Sequence, residues 1–284
     1  MNINEILICP ACRSNLQENF KCVHCDNVYR FKNGIYYILS HDLSGVPSKI
    51  SMKQQLVNLI KKTFIKKFEQ KYISKLSAET RQVMREQMDY MREIYKSFSG
   101  VVCDFPTGIG RNLKMLRDNN PNNTTIVCTD IDAAMLSVAK KHKGGKNPNT
   151  HYVITDGKHM SFRDNAFDYI ASIAAFGNVS GTGKMIKELY RILKPQGKIV
   201  MNTSYIEKGS KSYDVAKSAG VERGMVEEYL LQELTAAGFI NIRSTIIGKA
   251  IWAENPYDLL PVAGDMQHFC IVQAEKSNGT KNHP

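Results

Sequence analysis

The stretch Val101–Asp132, VVCDFPTGIGRNLKMLRDNNPNNTTIVCTDID, constrains the fold more than any other part of the chain. It reads as a short apolar strand, a turn holding Gly108 and Gly110, a helix, a second apolar strand, and then the carboxylates Asp130 and Asp132. A strand that passes through a glycine turn into a helix points backbone N–H groups at a ligand. A carboxylate at the end of the next strand is placed to hold a ribose diol. The pattern therefore predicts an α/β fold built around a nucleoside-containing cofactor. The loop from Asp104 to Gly110 lacks the three glycines of Gly-x-Gly-x-x-Gly, so a dinucleotide pyrophosphate is not what it is spaced for.

The segment Asp104-Phe105-Pro106-Thr107-Gly108-Ile109-Gly110 resembles motif I of class I S-adenosylmethionine (SAM) methyltransferases, with Pro106 in place of the first glycine and a stiffer start to the loop. Three further matches follow in order. IVCTDIDAAML sets Asp130, followed by Ile131, where that superfamily keeps its ribose-binding carboxylate, with Asp132 as the cap of the next helix. HYVITDGKHMSFRDNAFDYIAS sets Asp156 and Gly157 where the family contacts the adenine amino group, and ELYRILKPQGKIVM resembles its Leu-Lys-Pro-Gly-Gly turn with Gln196 replacing one glycine. The resemblance is to the type 11, ubiquinone/menaquinone methyltransferase-like branch. It implies a Rossmann-like fold with a seven-stranded, mostly parallel sheet and SAM as cofactor. The implied cofactor residues are Asp104, Pro106, Thr107, Gly108, Gly110, Asp130, Ile131, Asp156 and Gly157.

Ahead of this domain, Cys9, Cys12, Cys22 and Cys25 form two Cys-x-x-Cys pairs nine residues apart. Each pair can sit on a tight knuckle, and two knuckles complete a tetrahedral four-thiolate zinc site of structural type. Two disulfides are the alternative, disfavoured in a reducing compartment. The segment, with Cys9-Pro10-Ala11-Cys12, Tyr29 and Gly34-Ile35, resembles the zinc ribbon of tRNA methyltransferase activator subunits. In layout the chain is similar to the zinc-ribbon rRNA guanine-N1 methyltransferases. Those replace one cysteine with histidine, whereas here four cysteines are present and His24 is not needed as a ligand. A ribbon of this kind either binds RNA or packs beside the catalytic domain and stabilises it.

The expected organisation is a zinc ribbon over 1–40, a linker and helical lid over 41–98, the methyltransferase domain over 99–276, and a disordered tail over 277–284. Between Lys49 and Phe98 the chain has neither glycine nor proline, which predicts two or three helices broken near Ser77. Lys49–Lys96 carries 12 Lys and Arg against 5 Asp and Glu, most of the chain's formal +11. Lys61, Lys62, Lys66, Lys67 and Lys71 are then either a phosphate-contacting face or a solvated helix face. No apolar run approaches a membrane span and no signal peptide is evident, so a cytoplasmic enzyme without membrane partners is expected. Lys140–Thr150 reads as a polar, mobile loop.

Candidates for the acceptor pocket are Tyr90 and Tyr95, in a helical stripe with Met84, Met88 and Met91; Phe176 and Asn178 after the fourth strand, where the Asn-Pro-Pro-Tyr of amino-methylating enzymes is lacking; and Tyr205, with Tyr213, in a polar insertion. Trp252 and His268 read as a packed aromatic and a satisfied histidine, and Cys103, Cys128 and Cys270 as small buried side chains. No side chain is singled out as a catalytic base. Three functions follow from these readings: methyl transfer to a small molecule or peptide, methyl transfer to RNA, or a non-catalytic SAM-fold subunit.

Overall fold

The computed structural model of the protein describes residues 2–39, 65–119, 124–144 and 148–278. The expected linker at Ser40–Ser48, Lys61 and Lys62, the middle of the 140–150 loop, and the tail beyond 278 lie outside the described residues, as do the side chains of Lys66 and Asn178.

Among the described residues, nine strands form one sheet: β1 (Arg30–Lys32), β2 (Ile35–Tyr37), β3 (Gly100–Asp104), β4 (Thr124–Asp130), β5 (Thr150–Ile154), β6 (Phe167–Ile173), β7 (Leu193–Ile206), β8 (Phe239–Ile251) and β9 (Met266–Lys276). Their spatial order is β1-β2-β5-β4-β3-β6-β7-β9-β8. Strands β5, β4, β3, β6 and β7 are mutually parallel, while β9 runs antiparallel between β7 and β8. These seven make the expected methyltransferase sheet. The other two come from the cysteine segment, whose hairpin β1–β2 adds to the edge at β5 with Tyr36 opposite Val153 and Tyr37 opposite Ile154. An open edge strand offers unpaired N–H and C=O groups, and the hairpin covers them.

The described helices are α1 (Ile65–Lys75), α2 (Ala78–Tyr95), α3 (Arg111–Asn119), α4 (Ala133–His142), α5 (Thr182–Ile192), α6 (Lys211–Ala219) and α7 (Glu227–Ala237). Ser77 breaks the first two as its sequence position predicts, accepting a hydrogen bond from the Thr80 amide as the N-cap of α2. Strand alternation sorts the core into two layers. Val102, Ile126, Cys128, Tyr152 and Ile154 face Met91, Tyr95, Leu113, Leu116 and Leu136. Cys103, Val127, Val153 and Ile170 face Ile186, Leu189, Leu230 and Leu234, together with Leu7, Cys9, Cys22 and Ile38 of the cysteine segment. Helix α2 is pinned across the sheet by Gln87, whose amide donates to the carbonyls of both Thr203 and Cys270 at 2.8 Å.

The Leu193–Gly197 segment enters β7 through backbone that favours glycine. Gln196 has φ of +62°, whereas a Cβ on Gly197 would come within 2.8 Å of the Lys194 carbonyl oxygen. Space fixes Gly197; position 196 is strained but open to a side chain. Left-handed backbone costs a non-glycine residue about 1–2 kcal/mol, and glycine loses about 0.5–1 kcal/mol more chain entropy on folding. Gln196→Gly should therefore stabilise the fold by about 0.5–1 kcal/mol, read as a higher urea midpoint with an unchanged slope. A lower midpoint would show that the Gln196 side chain contributes contacts worth more than the strain.

Candidate functional site

Where β3 and β4 end, the chain ties their termini together. Thr107 donates its amide to the Thr129 carbonyl (2.7 Å) and its hydroxyl to the Asp104 carbonyl (3.0 Å), while the Thr129 amide donates to the Thr107 hydroxyl (2.9 Å). This leaves Gly108 at the tip of the turn with φ of +53° and nothing within 4 Å of where a Cβ would stand. Its amide donates to Asp130 Oδ2 at 2.8 Å, and Asp130 Oδ1 accepts from the Asp132 amide. Asp132 caps α4 through the amides of Ala134 and Met135. The Gly110 turn leads into α3 against Ala139 and Lys143.

Asp104 is fully buried. Its Oδ1 accepts from the Asn112 amide at 2.7 Å, and Asn112 in turn accepts from the Tyr95 hydroxyl at 2.7 Å, but its Oδ2 has no partner. Burial pushes this carboxyl up to about 7 against the pull of Asn112. Asp130 is also raised, again by burial, despite its backbone amides. Asp156 follows β5, buried, with Oδ1 accepting from the Lys158 amide, and Gly157 packs on Phe105, whose ring a Cβ would strike at 2.5 Å. Ile131 stands exposed beside Asp130. The carboxyl ends of β3, β4 and β5 thus bring Asp104, Thr107, Gly108, Asp130, Ile131 and Asp156 to one edge of the sheet.

Next to this edge is a cavity of about 190 Å³. Its walls are Met84, Gln87 and Met88 of α2, Arg111, the β6 end at Ile173–Ala174, Asn202–Ser204 of β7, Met225, and the β8–β9 connection with Trp252, Asp258, Leu260 and Pro261. Both amide hydrogens of Gln87 are engaged by carbonyls, which holds this wall residue in place. Four acceptor candidates sit elsewhere. Tyr95, Phe176 and Tyr205 are buried in the core, Tyr205 on the opposite face of β7 from Ser204 by strand alternation, and Tyr90 points to solvent. The helical stripe itself does reach the cavity, through Met84 and Met88; Tyr95 instead supports Asn112. Tyr213 packs with Val221 and Met225 in a separate cluster. Gln87, Asn202, Trp252 and Asp258 also line this cavity, and the sequence reading singled out none of them for it; Trp252 and Asp258 lie on the connection between the last two strands with no motif around them. His268 pairs with Glu207 at 3.1 Å, and Cys103, Cys128 and Cys270 are buried and free, as expected.

At the other end of the chain, the sulfurs of Cys9, Cys12, Cys22 and Cys25 all lie within 4.8 Å of one another, with the 9–25, 12–22 and 12–25 separations at 3.6, 3.4 and 3.5 Å. Four thiolates about 2.3 Å from a zinc ion would be about 3.8 Å apart, so the set fits a tetrahedral ion with little movement. The Ser14 hydroxyl and amide pull the Cys12 thiol down to about 6, and the Tyr29 hydroxyl lies 3.0 Å from the Cys9 sulfur. His24 is not among the four.

Residues 103–201 match a family described as a methyltransferase domain. With this match, the sheet order and the turn at Asp104–Gly110, residues 103–201 form a methyltransferase-family domain within a Rossmann-like fold of the class I methyltransferase type. Among curated proteins the chain is similar to a malonyl-[acyl-carrier protein] O-methyltransferase of Marinomonas sp., 28% identical over 55% of this chain and 58% of that one. It is also similar to the ubiquinone/menaquinone biosynthesis C-methyltransferase of Rickettsia prowazekii, 37% identical over 28% of this chain and 33% of that one. Its fold is like that of phosphoethanolamine N-methyltransferase 2 of Haemonchus contortus, with a TM-score of 0.53 and 19% identity over 67% of this chain and 52% of that one. The chain spans between a third and three-fifths of the curated relatives it matches.

A carboxyl group raised from the usual carboxylate range to about 7 binds its proton more tightly in the folded state than in the unfolded one. Stability then falls as pH rises from about 4 to about 7 and levels off above. Asp104→Asn should abolish this contribution, making the ligand-free variant more stable than the parent at pH 8 by a few kcal/mol, with a much smaller difference at pH 5. Urea unfolding of both proteins at the two pH values measures it; equal gains at both would place the Asp104 ionisation outside this window.

Proposed function

We propose that the chain binds SAM at the β3–β5 edge and transfers its methyl group to a small molecule held in the adjoining cavity. The observation that carries this reading is the partnerless, fully buried Asp104 Oδ2 beside an open glycine turn. A buried carboxylate without a counter-charge is costly, and the cationic amino group of SAM would relieve it. In the same placement the open Gly108 turn borders the methionine side, Asp130 takes the ribose hydroxyls, Ile131 covers the adenine ring, and Asp156 and Gly157 meet its amino edge. Pro106 shapes the turn. SAM supplies a methyl group already activated on its sulfonium, so the chain's task is to hold the acceptor in line and exclude water.

The cavity suits that task. Met84, Met88, Met225, Leu260, Pro261 and Phe269 supply an apolar enclosure, and its volume suits a small group better than a macromolecular surface. A small molecule, or one side chain of a peptide, is the acceptor we infer. The names of the relatives cover both O- and C-methyl transfer, so the atom methylated follows from the acceptor, not from the family. An RNA acceptor would rest on the basic segment, of which Lys67 and Lys71 are described, both on α1.

Two measurements test the reading. Asp130→Ala should weaken SAM binding at least tenfold by calorimetry, about 1.4 kcal/mol, through loss of a charge-assisted ribose contact; unchanged affinity would overturn the placement. Because the amino group of SAM requires ionised Asp104, affinity should also fall as pH drops below about 7. Transfer of a labelled methyl group from SAM, assayed separately into a small-molecule extract and into total RNA, then reads the acceptor. Label confined to the extract supports the cavity as its seat, and salt-sensitive label in RNA moves the acceptor to the basic surface.

A further inference from the structure

The cysteine segment is joined to the domain at one place above all, the loop between β5 and β6 that carries Asp156. Strand β2 pairs with β5 as far as Tyr37 opposite Ile154, two residues short of Asp156. Ile38 continues the contact, its amide donating to the Ile154 carbonyl at 3.1 Å, and its carbonyl accepts from the Ser161 hydroxyl at 2.6 Å. Ser161 closes the loop on itself: its amide donates to the Thr155 hydroxyl at 3.0 Å, and the two hydroxyls lie 2.9 Å apart.

A second strip of the segment holds the loop's far end. Leu7 bridges to Phe162, the Ile8 amide donates to the Ser161 carbonyl, and the Arg163 amide donates to the Ile6 carbonyl, both at 2.9 Å. Between these two grips, the carboxylate of Glu188 on α5 takes Arg13 at one oxygen and the Met160 amide at the other, each at 2.9 Å. Thr155, Asp156, Met160, Ser161 and Phe162 are all buried in consequence.

We propose that the four-cysteine ribbon is a positioning element of the cofactor site: metal-loaded, it holds the Thr155–Ser161 loop in the geometry in which Asp156 receives the adenine end of SAM. This rests on the cofactor placement given under Proposed function. The gripping residues depend directly on the knuckles. Ile8 precedes Cys9, Arg13 follows Cys12, and the β1–β2 hairpin, which leads directly into Ile38, starts five residues after Cys25. Segments of about forty residues bury too little to keep such a shape unaided, so the ion's binding free energy is what orders them. Without the ion both grips loosen, and the loop must be ordered at the expense of SAM affinity. Coupling of this kind is reciprocal, so SAM must tighten zinc by the same factor that zinc tightens SAM.

The full-length chain, zinc-loaded, is the material for the test. Ser161→Ala deletes the hydroxyl that links Ile38 to Thr155 while leaving all four cysteines in place. We expect it to keep one zinc per chain in a chromophoric chelator assay, to bind SAM about fivefold or more weakly by calorimetry, and to show faster amide exchange over residues 155–161 than the parent. In the parent, saturating SAM should raise zinc affinity about fivefold or more in competition with a chelator. Unchanged SAM affinity in Ser161→Ala, together with zinc affinity indifferent to SAM, overturns the proposal even if zinc-stripped protein unfolds. A parent that binds SAM well with or without zinc overturns it alone. A zinc-loaded parent that binds no SAM removes the cofactor placement on which it stands.

Discussion

Five hydrogen bonds at the ends of β3 and β4 carry the rest of the architecture. The Thr107 and Thr129 hydroxyls both donate to the Asp104 carbonyl, the Thr107 amide donates to the Thr129 carbonyl, the Thr129 amide donates to the Thr107 hydroxyl, and the Gly108 amide reaches the Asp130 carboxylate. Each donor or acceptor here is buried or nearly so, and a buried polar group left alone costs about 1–3 kcal/mol. The network therefore fixes the turn conformation strongly. It also limits what the turn can do: the Thr107 and Thr129 hydroxyls donate to the Asp104 carbonyl, the Asp104 Oδ1 accepts from Asn112, and its Oδ2 is left without a hydrogen-bond partner.

That arrangement explains why a carboxylate with a partnerless oxygen persists in the core. Tyr95 from α2 orients Asn112, Asn112 orients Asp104, and the second oxygen is held at a fixed position in an apolar surrounding. The cost of holding it is paid in the ligand-free state and returned when a cation arrives, which is how a fold stores selectivity for a positively charged ligand at one point. The helix that completes this relay is the same one that walls the cavity through Met84 and Met88 and crosses the sheet through Gln87. The proposed cofactor edge and the cavity beside it thus share one support, and displacement of α2 would disturb both.

Much of this was legible in the chain. Motif residues at a turn are recognisable because backbone geometry restricts them: Gly108 and Gly110 have positive φ, Asp132 caps a helix, and Asp130 ends a strand. The cavity was less legible because its walls are set by which side of an element faces inward. Tyr90, Tyr95, Phe176 and Tyr205 are aromatic and lie near the right places, yet strand alternation and helix phase turn them to the core or to solvent, and the adjoining Ser204, Gly177, Met88 and Gln87 take the wall. Trp252 and Asp258 come from a connection more than 140 residues after motif I, and nothing local in the sequence announces their approach to Tyr72 and Met84. The strain at Gln196 was visible only as a departure from a glycine pattern.

The cysteine segment shows the same limit in a different form. Its two Cys-x-x-Cys pairs announce a metal knuckle, and from sequence alone such a module reads as an appendage, because metal ligation is satisfied within it. What joins it to the sheet is three residues of β2 laid parallel to β5, a pairing too short to leave a periodic signal. Parallel addition at that edge has a structural consequence beyond covering it. The hairpin ends where β5 ends, so the chain leaving β2 and the chain leaving β5 emerge side by side, and the loop bearing Asp156 is built against the segment from its first residue. Core residues follow suit: Leu7, Cys9, Cys22 and Ile38 share one buried cluster with Val153, Phe162 and Leu189. A ribbon embedded in the sheet's own core cannot lose its shape without the loss being felt at the strand end that it borders.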